Sequence, residues 1–178
     1  MPTNTLAANL RISGSGSLTA NETVQLASVP AVFGIGSNGF SSWEYALTNG
    51  TGSGNANEVY IGRHTITAGG GSSIDLAGSL TNPLGQTITF ATIKALLIIV
   101  RSPDGTKKVL VGPQNVANTW QGPFGGTGAT AYEEVYEIFL KATRYTGWTV
   151  TAGTGDLLRI TNPGASDVDV DVLIIGTK

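Results

Sequence analysis

The residues with chemical potential are scattered along this chain. Gly34-Ile35-Gly36-Ser37-Asn38-Gly39 spells G-x-G-x-x-G, and Glu58 follows near the distance of a ribose-binding acid. That pattern cradles a pyrophosphate only between a strand and a helix. Phe40-Ser41-Ser42-Trp43 follows instead, without helical periodicity, so the segment reads as a glycine loop and no cofactor is expected. Asp167, Asp169 and Asp171 alternate with Val168, Val170 and Val172, which spaces the carboxylates about 7 Å apart along one strand face. A hard cation needs oxygens converging on one point. The row therefore reads as a solvated outer face, and no metal is expected. His64 beside Arg63, with Asp75 downstream, sketches a hydrolase, but no G-x-S-x-G elbow supplies the nucleophile. Glu44 with Glu58, or Glu133 with Glu137, would be carboxylate pairs for glycoside cleavage, yet nothing in their spacing singles one out.

Aromatic residues offer binding chemistry. Trp43, Trp120, Trp148 and Tyr145 would make a sugar-stacking platform if they clustered; with aromatics at 7% of the chain, core packing is the simpler reading. Gln121-Gly122-Pro123-Phe124-Gly125-Gly126-Thr127-Gly128 is an irregular loop with one apolar residue at its centre. Phe124, held by Pro123, either plugs into a neighbouring subunit or folds back over its own domain. Trp120, Pro123 and Phe124 are the candidate residues for contact with a neighbouring subunit or a larger assembly.

The composition narrows the classes. A chain of 178 residues suits one domain and needs no disulfides to fold; it has no Cys, which removes thiol catalysis and cysteine-bound metals. Charged residues are 12%, and ten Lys+Arg against twelve Asp+Glu leave a net charge of −2, which argues against nucleic acid as a partner. With a single His and no assembled constellation, an enzyme is not expected. The start, Met1 to Leu6, lacks the cationic and apolar parts of a secretory signal, and the longest apolar run, Ala95 to Val100, is far too short to span a bilayer. The Asn-x-Thr sequons at Asn21 and Asn49 then read as chance occurrences, and a soluble protein made in a cytoplasm, with no membrane partner, is expected.

The elements that must position these residues are strands. Gly/Ser/Asn clusters break up the first third, leaving short β segments at Leu6 to Ile12, Thr23 to Leu26 and Trp43 to Leu47. Residues 1–55 are expected to be an arm with loops and edge strands, packed on the body or swapped between subunits; residues 56–178 form the body. Glu58 to Thr67, Ser73 to Leu80 and Thr87 to Phe90 are strand candidates, and Ile93 to Val100 reads as a strand buried on both faces. Pro103-Asp104-Gly105 would turn it into a return strand at Lys107 to Val111. Trp148 to Ala152, Asp156 to Thr161 and Asp167 to Val172 predict a three-stranded antiparallel meander with one wet face. Glu133 to Ala142 has helical spacing at Val135, Ile138, Phe139 and Ala142 but strand alternation at Tyr136, Ile138 and Leu140; its surroundings favour a strand. Many short strands with Gly/Pro turns predict an all-β antiparallel sandwich of jelly-roll type.

Several runs carry a resemblance. Ala56-Asn57-Glu58-Val59-Tyr60, Ile74 to Leu80 (IDLAGSL), Leu84 to Leu96 (LGQTITFATIKAL), Gly147 to Leu158 (GWTVTAGTGDLL) and Ile174-Ile175-Gly176-Thr177 resemble virion proteins of tailed bacteriophages, in order over roughly residues 56–178. The resemblance implies a capsid decoration (cement) protein with a jelly-roll body. It would sit as a trimer on the outer surface of the head, with the major capsid protein as its partner and assembly in the host cytoplasm. The Glu133 to Leu140 stretch is more acidic than the Gly-rich strand of those proteins. The competing readings are a carbohydrate- or receptor-binding head of a phage fibre, which needs Trp or Tyr in a groove, and a glycosidase or esterase, which needs a cleft with converging acids.

Overall fold

Side chains of a strand point alternately to its two faces, so each apolar alternation in this sequence becomes a strand with one side against a shared core. The structure, a computed structural model, describes residues 8–11, 44–78, 80–102, 105–126, 132–142 and 146–178. Its strands are β1 (Ala8–Arg11), β2 (Glu44–Asn49), β3 (Asn55–Ala56), β4 (Glu58–Ile66), β5 (Gly71–Asp75), β6 (Leu80–Thr81), β7 (Thr87–Ile88), β8 (Thr92–Arg101), β9 (Val109–Val111), β10 (Glu133–Val135), β11 (Glu137–Lys141), β12 (Trp148–Thr149), β13 (Leu157–Thr161) and β14 (Val168–Thr177). Among the described residues there is no helix.

The chain divides into a unit at Ala8–Leu47 and a larger one containing Thr48–Lys178. In the first, β1 pairs antiparallel with β2, Ala8 facing Leu47 and Arg11 facing Glu44. The expected segment at Thr23 to Leu26, the Gly34–Gly39 motif, Trp43 and Tyr145 lie outside the described residues.

The larger unit is a sandwich of two antiparallel sheets, ordered β11-β8-β14-β4 and β10-β9-β13-β5, with β12 added to β8. Number the eight main strands in chain order, leaving out the short pieces. The sheets then read 6-3-8-1 and 5-4-7-2, the interleaved order of a jelly roll. The β6–β7 hairpin is an excursion between the sheets' strands.

Two local expectations are corrected. Lys107 to Val111 does not return beside Ile93 to Val100: β9 pairs with β10 and β13 in the opposite sheet. Nor do the last three strands form a meander, since β12 pairs with β8, β13 with β5 and β9, and β14 with β4 and β8. Alternation tells which face of a strand is buried, not which strand lies beside it. Here each short turn carries the chain across the core to the other sheet.

The mixed periodicity of Glu133 to Ala142 has the same origin. β10 belongs to one sheet and β11 to the other, with a break at Tyr136. Val135 points into the core from one side, and Ile138 and Leu140 pack against it from the other. The break shifts the phase by one residue, so two strands imitate a helical i, i+3 step.

Between the sheets lie Leu96, Ile98, Val100, Val170, Val172 and Ile174 from one side, facing Ile74, Val109, Val111, Leu158 and Ile160 from the other. Each contributes about 1.5–3 kcal/mol by leaving water. One buried polar side chain fastens the corners. Asn162, 2% exposed, donates through Nδ2 to the carbonyls of Ile66 (3.1 Å), Thr67 (3.2 Å) and Ser166 (2.9 Å), while its Oδ1 accepts the Gly164 N–H at 2.9 Å. It ties the β13–β14 turn to the β4–β5 turn and so holds the two sheets together at that end.

Candidate functional site

Because all main strands are antiparallel, the connections leave the sandwich alternately at its two ends. One end collects the β4–β5, β8–β9 and β13–β14 connections; the other collects β5–β8, β9–β10 and β11–β13. The second end is knit by main-chain bonds between its loops. Leu76 N–H donates to the Asp156 carbonyl (2.8 Å), Asp156 and Leu157 donate to Asn118 (3.1 and 3.0 Å), Trp120 donates to Leu157 (2.8 Å), and Val150 donates to Ala91 (2.9 Å).

Trp120 is the anchor of this end. It is 2% exposed, its indole N–H donates to the Thr149 carbonyl at 2.9 Å, and Phe124 and Trp148 meet it edge-on, each with ring centroids 6.1 Å away. Of the candidate contact residues, Trp120 therefore lies in the core, while Pro123 and Phe124 are half-buried above it. Phe124 takes the folded-back position over its own sandwich. Gly122 makes this possible: its φ is +38°, and a β-carbon there would land in the Trp120 ring. On the surface of the same end, Val116 is 38% exposed in a loop that holds Gln114, Asn115 and Asn118 at positive φ.

A second surface is the outer face of the β11-β8-β14-β4 sheet. The register sets its side chains in rows across the strands: Ile61, Leu173, Leu97 and Phe139, then Arg63, Asp171, Ile99 and Glu137, then Thr65, Asp169 and Arg101. The face is apolar toward the loop end and charged toward the other end. In the charged half, Asp171 accepts from Arg63 Nε (2.7 Å) and Nη2 (3.2 Å) and from Arg101 Nε (2.6 Å), with Arg101 Nη2 also against it. The hydrogen bond from Arg63, then that from Arg101, hold its carboxyl down at about 2. Asp169 accepts from Thr65 Oγ1 at 2.6 Å, and Asp167 accepts the Ala68 N–H at 3.0 Å. The carboxylates of this row thus have separate partners. The expected wet face holds for these residues and ends at Val172.

Beyond that point the expectation changes. β8, read as buried on both faces, is so over Ile93 to Leu96, where four consecutive residues are buried; further along, Leu97 and Ile99 are half-buried on the outer side, and Ile61 on β4 is 58% exposed. The sequence signal was present in Ile61, Leu97, Ile99 and Leu173, but it becomes a surface only once the register sets three strands side by side.

His64 with Asp75, and Glu133 with Glu137, are not brought together. His64 Nε2 lies 2.8 Å from the Tyr60 hydroxyl, and burial lowers the imidazole pKa and raises that of the phenol. Asp75 is on the other sheet and accepts the Ala77 N–H at 3.1 Å. Glu133 and Glu137 lie on strands of different sheets. Glu58 is buried and faces Lys178 Nζ at 3.6 Å. Among the described residues, no three His, Asp or Glu side chains group as a metal site. No family model, curated protein or solved structure matches this chain.

Proposed function

We propose that the chain is a structural virion protein, a jelly-roll cement that binds the outer surface of a tailed-phage head through its loop end and stabilises the shell. The observation that carries this reading is the construction of that end. Three loops are fastened to one another by main-chain hydrogen bonds over a buried tryptophan, and they present Val116, Pro123 and Phe124 in fixed positions. A surface ordered before contact loses little conformational freedom on docking, so affinity comes from area and shape. The resemblance over residues 56–178 points the same way, and jelly rolls recur among capsid proteins. In this reading the major capsid protein is the partner, no side chain reacts, and the chain joins the particle in the host cytoplasm as a homo-oligomer, a trimer by the resemblance.

The test is sedimentation of the purified chain with expanded heads assembled without it, followed by heating to release DNA. Saturable binding and DNA loss at a higher temperature are expected. Val116→Asp, at an exposed position, and Phe124→Asp should each weaken binding at least tenfold. Heads that ignore the chain would overturn the reading, as would equal binding by a properly folded Val116→Asp variant. Binding to a glycan array instead would favour a receptor-binding head.

A further inference from the structure

Leu84 is 72% exposed at the tip of the β6–β7 hairpin, and the turn holds it there. Asn82 Oδ1 accepts the N–H groups of Leu84 (3.0 Å) and Gln86 (2.9 Å), while Gly85 N–H donates to the Asn82 carbonyl at 2.9 Å. Gly85 takes φ +80°, and Pro83 fixes its own φ. An isolated leucine on so braced a turn is a preformed knob.

The apolar half of the outer sheet face supplies a hollow of the same apolar character. Ile61, Leu97, Ile99 and Leu173 line an open groove of about 500 Å³, with Arg63 and Asp171 at its rim. Charge does not oppose such a contact. Residues 80–88 (LTNPLGQTI) carry no charged side chain, and the rim carboxylate is already met by Arg63 and Arg101. Covering the groove with this hairpin therefore strands no charge. The leucine does not reach its own groove: its side chain stands in solvent, and Leu97 lies about 16 Å along β8 from the loop end at which the hairpin emerges.

We infer that a second copy of the chain fills this groove with its Leu84 hairpin. Knob and groove are different surfaces, so the contact is head-to-tail; it closes into a ring or continues as a filament according to the rotation between copies. The inference concerns the purified chain alone and does not depend on docking to a shell.

Sedimentation velocity of the full chain tests it, with Leu84→Asp, Ile61→Asp and an equimolar mixture of the two. Both positions are exposed, and unchanged melting curves verify folding. The parent chain should associate, and each variant alone should bind itself at least tenfold more weakly. The mixture should form a one-to-one pair and nothing larger, because one variant retains the groove and the other the knob. A monomeric parent chain, or a mixture that stays monomeric, would overturn the inference. So would association that survives Leu84→Asp, which would mean that the sheet faces stack on each other.

Discussion

Asn162→Asp swaps two amide donors for an oxygen of nearly the same shape, at a site where three carbonyls converge. In the native chain Nδ2 serves the carbonyls of Ile66, Thr67 and Ser166, and the residue is buried. Each hydrogen bond lost costs about 1 kcal/mol net, and a buried carboxylate left facing carbonyl oxygens costs about 3–5 kcal/mol. These overlap, so a loss of about 4 kcal/mol at pH 7 is expected, or a melting temperature lower by about 8–16 °C for a chain of this size. Protonation gives the new side chain one O–H donor. The folded variant therefore holds its proton more tightly than the unfolded chain does, and part of the loss returns as the pH falls through the folded-state value. Asn162→Ala should lose about 2–3 kcal/mol with no recovery in acid. Urea and thermal melts of both variants and the parent chain at pH 7 and pH 4, followed by circular dichroism, read these differences directly. A loss below about 1 kcal/mol, or equal pH profiles for the two variants, would refute the claim that this amide clamps the sheet corners.

Gly122→Ala should destabilise the chain by about 1–3 kcal/mol, because φ is +38° and the added carbon meets Trp120; tryptophan emission should shift red as the loop end loosens. His64, the one histidine of the chain, should titrate by NMR below the ordinary value of about 6.5, so that stability present above that value is lost as the pH falls through the lower folded-state midpoint. Asp171 ionises at about 2 when folded, so its contribution is complete above the ordinary carboxylate range and disappears as the pH falls toward 2. Asp171→Asn should flatten that part of the acid melting profile by no more than about 1 kcal/mol, since the pair is solvated.

Local periodicity made the class of fold and most strands readable. Glu58 to Thr67 becomes β4 almost to the residue, and the Val168-Val170-Val172 alternation points into the core as expected. Pairing was not readable, because β9 lies in the opposite sheet to the preceding β8, and β13 in the opposite sheet to both β12 and β14, and nothing in Lys107 to Val111 or Asp156 to Thr161 encodes that. Trp120, Pro123 and Phe124 were found through their setting of glycines, yet a tryptophan looks the same in a sequence whether it anchors a loop or caps a surface. Only the packing beneath Gly122 separates the two. The apolar outer face was hidden for a related reason. Ile61, Leu97 and Leu173 belong to three segments, and only the register places them in one row.

Cryo-electron microscopy of expanded heads incubated with the purified chain tests the proposed docking of the loop end onto a shell. Ordered density is expected on the outer surface, with the Val116 and Phe124 end against the major capsid protein and the Arg63–Asp171–Arg101 end toward solvent. Bare heads at saturating concentrations of the chain, or density in which the loop end points away from the shell, would contradict it.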